Sequence, residues 1–149
     1  MARSTNYLSL QFANDGDGTG KLSARAEAPG FAGVGEAYFN TENIESFARS
    51  IAQYPLEGTF EISGGLGERG SGEFQEHLAV RVYAIDRRGH VAVQVRMATS
   101  MWSDVKPPLQ MTAKVEVLTS HEPLRKFSAD LISLLRGTRT EAVLEGDSG

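Results

Sequence analysis

Residues 78–97 leave little freedom in how they fold. Leu78, Val80, Val82 and Ala84 alternate along one run, Asp86-Arg87-Arg88-Gly89 interrupts it, and Val91, Val93, Val95 and Met97 resume the alternation. Side chains of a strand point to opposite faces in turn, so each run is a strand with one apolar side. With Ile85 facing His90 across the turn, Val82 opposes Val93 and Val80 opposes Val95. That register puts every valine on one face, and a slip of one residue would scatter them. The opposite face then carries Arg81, Tyr83, Gln94 and Arg96.

The rest of the chain is read against this hairpin. Residues 6–13 alternate with Leu8, Leu10 and Phe12 on one side; Leu22, Ala24, Ala26 and Ala28 form a second strand; Pro29-Gly30 turns into a third over 31–39. The period then changes: Ile44, Phe47, Ala48 and Ile51 form the stripe of a helix, capped by a side-chain oxygen of Asn40 or Thr41. A short strand over 59–63, the hairpin, and a strand through Leu109, Met111, Ala113, Val115 and Val117 follow. Leu124, Phe127, Leu131 and Leu134 mark a second helix, with Pro123 in its first turn and Gly137 at its end. About the last dozen residues are expected to fray, unless Ala142-Val143-Leu144 docks locally. The fold class predicted is α+β: one meandering, mostly antiparallel sheet with two amphipathic helices packed on one face. The 149 residues suit a single domain spanning 1–149.

Chemistry is harder to find. Gly65, Gly67 and Gly70 spell G-x-G-x-x-G inside Ser63–Gly72, but a strand follows instead of the helix whose amides would meet a pyrophosphate. No lysine follows the glycines, as a P-loop needs. The loop reads as a connector or a pocket rim, with Gly67, Glu68, Arg69 and His77 as candidate rim residues. Asp15, Asp17 and Thr19-Gly20 imitate the start of a calcium loop, yet Ala26 stands where the bidentate glutamate belongs, so a hairpin turn is expected. Cysteine is absent and His77, His90 and His121 show no metal-ligand spacing, so neither a metal nor another cofactor is expected.

With 15 basic against 19 acidic residues, the chain lacks the positive footprint of a nucleic-acid binder. No apolar run is long enough for a signal-peptide core or a membrane span, so a cytoplasmic protein is expected. Arginine and tyrosine are enriched at interface hot spots, as is tryptophan. Arg81, Tyr83, Gln94 and Arg96, with the only tryptophan, Trp102, are therefore the candidate partner-binding residues.

The order Glu76-His77-Leu78-x-Val80-x-Val82-Tyr83, then Gly89-x-Val91-x-Val93-x-Val95, then Leu118-Thr119-x-x-Glu122-x-Leu124-x-x-Phe127-x-x-x-Leu131 resembles small uncharacterised bacterial proteins. Some of those are grouped with immunity proteins of wall-associated polymorphic toxins. The resemblance covers roughly the second half of the chain, plus the aromatic strand end Tyr38-Phe39 leading into the first helix, and implies a non-catalytic, cytoplasmic protein-binding module that neutralises a toxin domain. It carries over no functional residue. The alternatives are a small-ligand binder or modest enzyme with a pocket beneath the glycine-rich loop, and a homo-oligomer with a structural role.

Overall fold

The computed structural model describes residues 6–66, 75–99 and 110–147. The elements run β1 (Tyr7–Asn14), β2 (Thr19–Ala28), β3 (Phe31–Asn40), α1 (Thr41–Ile51), β4 (Thr59–Leu66), β5 (Gln75–Ala84), β6 (His90–Ala98), β7 (Thr112–Ser120), α2 (His121–Leu135) and β8 (Ala142–Glu145).

The class is α+β and all strand pairings are antiparallel, but the strands form two sheets, ordered β3-β2-β1-β8 and β4-β5-β6-β7. This corrects the single meander. Sheet one also borrows its outer strand from the C-terminus: Ala142 and Leu144 are fully buried and β8 pairs with β1, so local docking prevails over fraying there. An apolar strand face requires a cover without saying whether a helix or a second sheet supplies it. Here both do. The inner side of sheet one is built from small residues, among them Ala24, Ala26, Gly33, Gly35 and Ala37. A Cβ on Gly35 would lie 2.8 Å from Met97 Cγ and one on Gly33 2.7 Å from Ala113 Cβ, so β3 rests directly on sheet two. The helices touch each other, and each bridges the sheets: α1 contacts β3 and β4, whereas α2 contacts β1, β8 and β7. They do not lie together on one face of one sheet.

The central hairpin has the register its valines require. Val82 pairs with Val93, Val80 with Val95, and Ile85 N–H donates to His90 C=O at 3.0 Å. All four of those valines are fully buried; burial of each stabilises the fold by roughly 1.5–3 kcal/mol.

Helix ends follow sequence in part. Gly137, at φ +78°, ends α2: its N–H donates to Leu134 C=O at 3.2 Å and Thr138 N–H to Ser133 C=O at 3.0 Å. That pair of bonds is a Schellman motif, which a glycine satisfies without Cβ strain. At α1, Asn40 holds the N-cap position but its side chain makes no capping bond; Thr41 turns to Gly18 C=O instead. The acidic run before β2 is a hairpin turn, with Asn14 accepting from Gly16 N–H and Asp17 from Thr19 N–H.

Candidate functional site

Sheet two turns its valines inward and presents Arg81, Tyr83, Gln94 and Arg96 outward together, as the alternation requires. Cross-strand pairing lines up Glu61, Arg81, Gln94 and Glu116 in one row over four strands, and Arg96 sits beside Lys114 in the next. Arg96 organises this face. Its Nε donates to Glu76 at 3.0 Å, Nη2 to Glu76 at 2.9 Å and to Glu61 at 3.0 Å, and Nη1 to Gln94 at 3.0 Å. Two carboxylates hold the guanidinium charge more firmly still, pushing its pKa above the ordinary arginine value despite partial burial. A second cluster surrounds Glu116, which accepts from Tyr83 Oη at 2.8 Å and Gln94 Nε2 at 3.0 Å. These bonds hold the Glu116 carboxyl below its usual range and raise the Tyr83 phenol above its own. Arg81 lies over the Tyr83 ring, 5.5 Å from its centroid, and forms no ion pair among the described residues.

Glu76 is the member that alternation does not reveal; Glu61 already lies opposite Phe60 and Ile62 on the outward side of its strand. By parity with Leu78, Glu76 belongs inside. It faces outward because Gly64 pairs with Leu78 while the next residue, Gly65, pairs with Glu76, leaving His77 as the extra residue of a β-bulge. A bulge reverses the facing of everything beyond it. It also separates His77 from the Arg81 face: His77 is nearly buried and borders a different feature.

That feature is a concavity of about 660 Å³ over sheet one, where Ser9, Lys21, Arg25, Glu36, Tyr38 and His77 contribute to the lining. Lys21 pairs with Glu36 at 3.5 Å, Ser9 Oγ donates to Glu141 at 2.6 Å, and Arg25 Nε donates to Tyr7 Oη at 3.1 Å. Those last two bonds explain why Tyr7 and Ser9 are buried although they occupy the polar side of β1. Gly65 and His77, which bracket the glycine-rich segment, both reach this concavity. The other candidate residues, Gly67, Glu68, Arg69 and Trp102, lie outside the described residues.

No protein-family model, curated protein or solved structure matches this chain. Function therefore rests on the geometry of these two surfaces. Among the described residues no group of three or more acidic or histidine side chains is placed to hold a metal ion, and no helix is long and apolar enough to cross a membrane.

Proposed function

We propose that the chain is a non-catalytic protein-binding module, cytoplasmic and immunity-like, that docks another protein on the outer face of sheet two. The observation that carries this reading is the Arg96 network. Four directed bonds fix a guanidinium among Glu61, Glu76 and Gln94, and the adjoining bonds of Tyr83 and Gln94 to Glu116 fix the rest. Side chains already held in place lose little conformational freedom on docking, which raises affinity for a given contact area. Arg81, of a residue type enriched at hot spots, and the exposed Leu118 extend the same face, one charged and one apolar.

The proposed partner is a toxin domain encoded by a neighbouring gene. Co-expression followed by calorimetry should give a stable complex without turnover. Arg81→Ala, Arg96→Ala or Trp102→Ala should weaken it by at least about tenfold, or ~1.4 kcal/mol. Unchanged affinity in all three variants would remove this surface from the account.

A second reading, a small-ligand binder or modest enzyme, is supported by the concavity bordered by Gly65 and His77. Its mark would be a compound that raises the melting temperature of the chain but not of the His77→Ala variant.

A further inference from the structure

The first strand of sheet two has one partner, β5, and its other side is an edge. Along that edge runs a groove of about 380 Å³. Residues 60–63 of β4 all border it. Side chains of consecutive strand residues point to opposite faces, so a groove touched by four in a row follows the backbone edge and not either face. The facing wall is α1, through Asn43, Ser46 and Ser50, and the floor is the buried rings of Phe39 and Phe47. Among the described residues, no hydrogen bond is made by the outward backbone groups of Phe60, Glu61, Ile62 or Ser63. Unpaired N–H and C=O groups along an edge are a template for one more strand, and a helix opposite completes a slot for an extended peptide.

The charges say what kind. Among the described residues only one charged residue borders the groove, Glu61, whose side chain is 37% exposed and bonded to Arg96 two strands away. It ends the cross-strand row Glu61–Arg81–Gln94–Glu116. The next strand in that row favours a cation, since opposite charges directly across a sheet stabilise and like charges do the reverse. Neighbouring positions of an added strand would meet Phe60 and Ile62 and the aromatic floor, which favour apolar side chains. The chain's net charge of −4 favours the same basic partner.

We infer that the slot between β4 and α1 binds an extended segment of a partner protein in which apolar and basic residues alternate, adding it to sheet two as a fifth strand. This site adjoins the face proposed above and shares Glu61 with it, but its test uses synthetic peptides and the Ser46→Trp variant, which lie outside that face, so either reading can fail alone.

Fluorescence anisotropy with a labelled Val-Lys-Val-Lys-Val peptide is the experiment. Saturable binding is expected, weakened at least about tenfold when the lysines become glutamates or when alternate amides are N-methylated. Ser46→Trp, on the exposed side of α1, should block the slot to the same extent while the far-ultraviolet dichroism of the chain stays unchanged. Glu61→Lys should reverse the lysine-over-glutamate preference. Absence of binding, equal binding of both peptides, indifference to N-methylation or to Ser46→Trp, or sedimentation showing that a second copy of the chain occupies the edge would each overturn the inference.

Discussion

Arg96 is an arginine and not merely a cation. Its planar fork reaches two carboxylates and an amide at once, which a lysine ammonium on a flexible stem cannot do. Removing it deletes the three bonds that Glu61 and Glu76 accept from its guanidinium. Arg96→Ala should therefore lower unfolding stability by roughly 1–2 kcal/mol, a partly solvated network being worth less than a buried one. Arg96→Lys should recover less than half of that loss in urea denaturation. The Tyr83–Glu116 bond makes a prediction in pH. Glu116 is lowered in the fold, so its contribution is present above the unfolded carboxyl pKa and fades as pH falls through the folded value. Tyr83 is raised, so its contribution is present below the unfolded phenol pKa and disappears as pH rises through the folded one. Tyr83→Phe should remove one tyrosinate step above the ordinary range from an absorbance titration and return the Glu116 carboxyl toward its usual value by NMR.

Packing of elements is most sensitive where β3 meets sheet two. Gly35→Ala places a methyl group 2.9 Å from Met97 Cβ and 3.2 Å from the His77 carbonyl oxygen. It should cost about 1–3 kcal/mol by overpacking, with a non-additive response when combined with Met97→Ala. At the other end of sheet one, Leu144→Ala should cost about 2–5 kcal/mol, since Leu144 is fully buried although it lies near the C-terminus. Urea midpoints decide both. These elements also show where sequence reading succeeds and fails. The hairpin register was legible because four valines fit only one pairing. The bulge at His77 was not, because an extra residue leaves the alternation on either side intact and merely changes its sense. Glu76 is therefore hidden in the sequence, whereas Glu61, on the side of its strand opposite Phe60 and Ile62, follows the same alternation as Arg81, Tyr83, Gln94 and Arg96. The second sheet was hidden because an apolar stripe asks for a cover of either kind; the run of alanines and glycines on β2 and β3 was the available hint of close sheet contact. The tail was legible only as the alternative of local docking by Ala142-Val143-Leu144 and not as a strand, because four residues are too few to display a period.

At the scale of the molecule, α1 carries the chain from sheet one to sheet two, and α2 carries it back so that β8 can pair with β1. Each sheet spends its apolar side on the shared core, which leaves two outward surfaces of different character. Sheet two offers an ordered array of charges; sheet one is concave, with Val34 and Tyr38 strongly exposed on its outer strand. An NMR titration of the isotope-labelled chain with the neighbouring-gene toxin domain compares the two directly. Perturbations centred on Arg81, Tyr83, Gln94 and Arg96, including the Arg96 side-chain Nε–H, are the predicted result. A footprint confined to Lys21, Arg25, Val34 and Tyr38 would contradict it.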